Sequence, residues 1–187
     1  MEKSFEIIIH GRGGQGAKTS AELIAQAATG EGKFVQAFPE FGPERSGAPV
    51  RTFARISADP IRTREPIVDP DCVLVLDDTL LETIDVTKNL TDEEFLIVNT
   101  KQDKKDVKSR LNFSGRLICL DASGIAMDII GENRPNTVIL GKFIFATETI
   151  RLESLSKAFK EKYLEKIGQE KTRQNVEAIE QAYDSHH

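Results

Sequence analysis

Apolar positions along this chain follow two alternating patterns. Unbroken runs of a few β-branched or large residues give way to stretches where apolar residues recur every three or four positions. Residues 2–10 end in Ile7, Ile8, Ile9 and His10 and predict a first strand. In residues 17–28, Ala17, Ala21, Ile24 and Ala28 lie at helical spacing, and Thr29-Gly30 supplies a stop. So small a face lets the helix lie close against a sheet. Residues 33–38 predict a short second strand, followed by a loop over 39–47 rich in Pro, Gly and charge. Residues 50–57 alternate, with Val50, Thr52, Ala54 and Ile56 facing one way and Arg51, Phe53 and Arg55 the other. That is the pattern of a half-exposed antiparallel strand near a sheet edge.

Residues 71–78 are apolar until they end in Asp77-Asp78, as expected of a central strand covered on both faces. A short helix over 80–90, capped by Asp78 or Thr79, is predicted next. Residues 95–99 and 117–121 predict two more buried strands, separated by a charged, solvated stretch over 101–110. Asp121 is placed to cap a helix running through 126–130 and closed by Gly131. After Pro135, Asn136 is placed to cap another helix, and Val138, Ile139, Phe143 and Ile144 leave that helix apolar on nearly every side, hence buried. Leu152, Leu155, Phe159 and Tyr163 form one helical stripe and Val176, Ile179 and Tyr183 a second, with a break at Gly168. Ser185, His186 and His187 are expected to fray. Strands alternating with helices predict a single domain over 1–187, a three-layer α/β/α fold with a mostly parallel, mixed sheet.

Charge removes some functions. Lys and Arg number 25 against 30 Asp and Glu, a net charge of -5, which disfavours nonspecific binding to nucleic acid or to an anionic membrane. No apolar run approaches a membrane span, and residues 5–9 are too short for a signal-peptide core. Cys72 and Cys119 both lie within apolar runs, where they read as small buried hydrophobes. A cytoplasmic, reduced, water-soluble protein is expected.

Chemistry concentrates where the first strand meets its helix. Gly11, Arg12, Gly13, Gly14, Gln15 and Gly16 form a turn whose backbone N–H groups can converge on an anion at a helix N-terminus. Three readings compete. The spacing Gly11-x-Gly13-x-x-Gly16 fits a dinucleotide site, but the second strand ends in Gln36-Ala37-Phe38 without the acid such a site needs. A phosphate loop is one residue out of register. Ala17 stands where its lysine belongs, and about 100° of helix rotation carries Lys18 and Thr19 off target. Asp77 and Asp78 then serve as strand-end and capping residues. The third reading gives the glycines to close packing or a subunit contact, with a passing anionic ligand. Elsewhere no catalytic set forms. His10 reads as a hydrogen-bonded structural residue, and no Cys or His spacing suits a metal or iron–sulfur cluster. From its residues alone the chain is a binding or assembly domain.

Two loop motifs, the glycine turn at 11–16 and the segment Phe41-Gly42-Pro43-Glu44-Arg45-Ser46-Gly47-Ala48-Pro49-Val50, resemble those of the gamma subunits of pyruvate:ferredoxin and related 2-oxoacid:ferredoxin oxidoreductases. The strands at 71–78 and 95–99 and the stretch from Asn136 to Gly141 extend the resemblance to nearly the whole chain. The resemblance implies one gamma-type domain with a helical tail over about 151–183, part of a multi-subunit 2-oxoacid:ferredoxin oxidoreductase, with pyruvate the default substrate and branched-chain, aryl and 2-oxoglutarate variants the alternatives. As a pyruvate synthase that enzyme converts pyruvate, coenzyme A and oxidised ferredoxin into acetyl-CoA, CO₂ and reduced ferredoxin, an electron-transfer step of anaerobic metabolism. It also implies alpha, beta and delta partners. Thiamine diphosphate, Mg²⁺ and 4Fe–4S clusters sit on those other subunits, with no cofactor, metal or catalytic residue on this one. The expected sites are the loops formed by Gly11, Arg12, Gly13, Gly14, Gln15 and Gly16 and by Glu44, Arg45, Ser46 and Gly47. These would line the coenzyme A approach or contact another subunit. A stand-alone protein binding NAD or ATP is the alternative.

Overall fold

The computed structural model describes residues 3–40 and 46–185. The first βα unit is β1 (Phe5–Arg12) followed by α1 (Ala17–Gly30). Next come β2 (Phe34–Pro39), β3 (Pro49–Ser57) and β4 (Cys72–Val75), then β5 (Phe95–Asn99), α2 (Lys104–Leu111) and β6 (Arg116–Leu120). Three helices close the chain: α3 (Ala122–Ile130), α4 (Pro135–Thr147) and α5 (Leu152–Asp184).

The strands form one sheet in the order β2-β3-β1-β4-β5-β6. β1, β4, β5 and β6 run parallel, while β3 lies antiparallel to both β1 and β2. The result is a mixed α/β sheet, as the sequence predicts. Alternation along the parallel strands divides the core. Ile7, Ile9, Leu74 and Ile97 pack with α1, α3, α4 and α5 on one face. Ile8, Val73, Val75, Leu96 and Val98 pack on the other with Leu80, Val86 and Val107. Only Val107 of α2 is buried, so the charged stretch around it is solvated, as expected.

Three local expectations fail for identifiable reasons. The strand at 50–57 is covered on both faces, with Phe53 1% and Ala54 1% exposed. The guanidinium of its buried Arg55 donates to the Glu6 carboxylate, to Gln36 Oε1 at 3.3 Å and to the Glu65 carbonyl at 2.6 Å. The strand is antiparallel and next to the edge strand, as expected, but it is packed with Phe38 and Ile67 rather than half-exposed.

Residues 80–90 make no α-helix. A single 3-10 turn, Asp78–Glu82, is capped by Asp77, which accepts from the Thr79 N–H at 3.0 Å. Thr83, Ile84, Val86 and Thr87 lose side-chain freedom in a helix, and Asp85 competes by accepting from the Thr87 N–H at 3.1 Å.

Asn136 does not cap α4. Arg134 holds the cap position, and Pro135 starts the helix where a missing N–H costs nothing. By contrast Asp121 caps α3 through the Gly124 N–H at 2.7 Å, and Gly131 ends it in the left-handed conformation. Gly168, at φ 80 and ψ 169, breaks α5 where its two apolar stripes change over. Among the described residues no helix is long and apolar enough to cross a membrane.

Candidate functional site

At the carboxyl ends of β1 and β4 the glycine turn is held by a compact hydrogen-bond network. The Arg12 N–H donates to Gln15 Oε1 at 2.7 Å, and Gln15 Nε2 donates to Asp77 Oδ2 at 2.7 Å. Arg12 Nε lies 3.3 Å from the same carboxylate oxygen, and Arg12 Nη2 donates to Thr79 Oγ1 at 2.7 Å. A third guanidinium nitrogen, Nη1, donates to the Gly47 carbonyl at 3.2 Å. Burial works against the Asp77 charge. Hydrogen bonds from Thr79 and Gln15 and the Arg12 charge outweigh it and hold the carboxyl below its ordinary range.

Two further backbone bonds, Gly13 N–H to Ala48 O at 2.8 Å and Gly47 N–H to Gly13 O at 3.2 Å, join this turn to the start of β3. Gly11, Arg12, Gly13, Gly14, Gln15, Gly16, Ser46 and Gly47 are thus brought together. Glu44 and Arg45 lie outside the described residues.

Beside the turn opens a cleft of about 720 Å³. Gly16, in the left-handed conformation at φ 84, leads into α1, and Arg134 leads into α4; among the described residues neither helix has a side-chain cap or an acid in its first turn. The first N–H groups of a helix have no intrahelical partner, so two sets of donors with partial positive charge meet here. Asn136 and Thr137 line the cleft at the α4 start, and the Thr137 hydroxyl is buried with no partner among the described residues. From α5 the cleft is lined by Phe159, Tyr163 and Ile167, continued by Lys171 and Asn175, and Asp77, Asp78 and Glu132 also border it. A ligand combining anionic groups with an extended, partly apolar body suits such walls.

Neither nucleotide reading survives the geometry. The Lys18 side chain is 70% exposed and faces Glu22 at 3.9 Å. Asp78 accepts from Thr100 Oγ1 at 2.5 Å and Gln102 Nε2 at 3.2 Å. A dinucleotide fold places its second strand beside the first, but here β3 intervenes and β2 is the far edge. Glu40, just past β2, is paired with Arg51.

A model of the family described as pyruvate ferredoxin/flavodoxin oxidoreductase matches residues 6–185. The chain belongs to that family. Within it, the chain is similar to pyruvate synthase subunit PorC of Methanosarcina barkeri, 50% identical over 155 residues, covering 83% of this chain and 84% of the relative. It is 48% identical over 181 residues to the pyruvate/ketoisovalerate oxidoreductases common subunit gamma of Thermococcus kodakarensis, covering 96% of each. The solved pyruvate oxidoreductase subunit PORC of Thermotoga maritima superposes with a TM-score of 0.88 at 38% identity, covering 98% of this chain and 97% of that one. The oxidoreductase assignment, and with it the gamma-type subunit expected from the two loop motifs, therefore holds.

Among the described residues, His10 and the two cysteines are held in their neutral forms at neutral pH. His10 is 5% exposed, and burial, helped by the Arg51 charge and opposed by Glu40, lowers it to about 4. Its Nδ1 is buried with no partner among the described residues, contrary to the hydrogen-bonded residue expected of it. Burial raises the Cys119 thiol to about 11 and the Cys72 thiol further, so neither is a thiolate at neutral pH. Among the described residues no group of three or more His, Cys, Asp and Glu could hold a metal.

Sequence reasoning missed Thr137 and the role of Asn136 beside Gly16. Asn136 was legible only as a helix start, and nothing in local spacing marks Thr137.

Proposed function

We propose that this chain is the gamma subunit of a cytoplasmic pyruvate synthase. The assembled enzyme would oxidise pyruvate with coenzyme A and ferredoxin to acetyl-CoA, CO₂ and reduced ferredoxin. Alpha, beta and delta partners would carry the thiamine diphosphate, Mg²⁺ and iron–sulfur clusters. The chain folds as one gamma-type domain.

Its own part is to receive the anionic end of coenzyme A at the glycine turn. One observation carries this reading: two helix N-termini without a side-chain cap or an acid in the first turn share a cleft with Phe159 and Tyr163, and the carboxylates that line it are engaged, Asp77 by Arg12 and Gln15, Asp78 by Thr100 and Gln102, Glu132 by Arg134 and Lys171. Phosphate oxygens there would accept from the first N–H groups of α1 and α4 and from the Thr137 hydroxyl, and the pantetheine chain would lie along Phe159 and Tyr163. Arg45, in the second loop motif with Glu44, Ser46 and Gly47, would add a guanidinium for the same ligand.

Steady-state kinetics of the assembled complex test the assignment. Thr137→Val and Arg45→Ala are each expected to raise the KM for coenzyme A several-fold while the subunits stay together and the KM for pyruvate is unchanged. If both variants keep the wild-type coenzyme A dependence, the loops serve subunit contact instead.

A further inference from the structure

Arg12 and Gln15, the two polar side chains of the glycine turn, spend their hydrogen bonds within the protein. Two residues of the glycine turn and the nearby Thr79 converge on one carboxylate. Asp77 Oδ2 takes Gln15 Nε2 at 2.7 Å and faces Arg12 Nε at 3.3 Å, while Asp77 Oδ1 takes the Thr79 N–H at 3.0 Å. The Gln15 oxygen in turn holds the Arg12 N–H at 2.7 Å, closing a ring that fixes the turn from strand end to helix start. Every group that meets Asp77 in this ring is a donor, so the position requires an acceptor on both oxygens.

We propose that Asp77 is the positioning residue of the glycine turn: its carboxylate, acting through Gln15 and Arg12, presets the backbone N–H groups at the cleft. The consequence for ligand binding rests on the coenzyme A reading above; the positioning itself does not. Arg12 then neutralises Asp77 at the mouth of an anion-binding cleft, where an unpaired carboxylate would repel the ligand. Its role is to balance that charge, not to contact phosphate.

Asp77→Asn keeps the shape and turns one acceptor into a donor, set against the Gln15 amide N–H. Exchanging the groups, as Asp77→Asn with Gln15→Glu, restores the pairing. The double variant restores the pairing and the net charge together, moving the negative charge from residue 77 to residue 15.

Two readouts on the assembled complex test the proposal. Amide hydrogen exchange over residues 13–16 is expected to quicken about tenfold in Asp77→Asn and to return to near the wild-type rate in the double variant, as losing a hydrogen bond to a charged group would give. The KM for coenzyme A is expected to rise about tenfold more than kcat falls, and to recover in the double variant. Unchanged exchange in Asp77→Asn overturns the proposal, as does a double variant no better than the single one. Faster exchange with an unchanged KM leaves Asp77 as the positioning residue and removes the coenzyme A reading alone.

Discussion

Asn136 packs against Gly16 so closely that a Cβ built on the glycine would lie 2.5 Å from the Asn136 Nδ2 and 3.3 Å from its Cβ. Ser20 Oγ donates to the Asn136 carbonyl at 2.8 Å, so the starts of α1 and α4 are locked together across 120 residues of chain. Gly16 is also left-handed, at φ 84. Gly16→Ala therefore meets two penalties: about 1–2 kcal/mol of backbone strain, and the clash with Asn136. Adding Asn136→Ala removes the contacts under 3 Å, keeps a tight one of 3.3 Å to the Cβ, and leaves the strain. Denaturant melts of the four proteins in a double-mutant cycle should show the pair costing less than the sum of its members.

Gly141 is tighter still. A Cβ there would come within 2.0 Å of the Ile179 carbonyl oxygen and 3.0 Å of the Tyr183 nitrogen, both backbone atoms of α5. A side chain can swing aside, but a packed helix backbone cannot. Gly141→Ala should cost about 3 kcal/mol, the upper part of the overpacking range, and lower the urea midpoint accordingly.

Lys142 is 1% exposed, yet its Nζ donates to the Tyr183 carbonyl at 3.3 Å and to the Ser185 carbonyl. It places a cation on the last turn of α5, where the carbonyls have no helical partners. Lys142→Met keeps the apolar stem and removes that cation. The last turn should fray, seen as faster amide exchange over 181–185, at a stability cost of about 1–3 kcal/mol.

The buried His10 gives the fold a pH signature. Its folded value of about 4 lies below the 6.5 of an exposed histidine, chiefly through burial. Between those values the unfolded chain binds more protons than the folded one, so stability falls as pH drops from about 6.5 to about 4 and then levels. The shift corresponds to a loss on the order of 3 kcal/mol. Comparing pH-dependent melts of the wild type and His10→Leu isolates it; the variant should lose less stability across that window.

Much of this architecture is legible in local spacing. Unbroken apolar runs mark β4, β5 and Ile7–Ile9 in the middle of β1, because strands covered on both faces bury successive residues. A helix apolar all round, α4, reads as buried, and Gly168 reads as the break in α5. The lysine displaced by one position argues against a phosphate loop on spacing alone.

The residues themselves therefore determined the strand–turn–helix units, the glycine turn and the family motifs, since each depends on neighbours within a few positions. Tertiary structure alone decided that β3 lies between β2 and β1, that Asp77 gathers Arg12 and Gln15, and that Asn136 faces Gly16. Periodicity reports which face of an element is apolar and is silent on which distant element covers it. Partners 62 or 120 positions apart meet only when the sheet order brings them together.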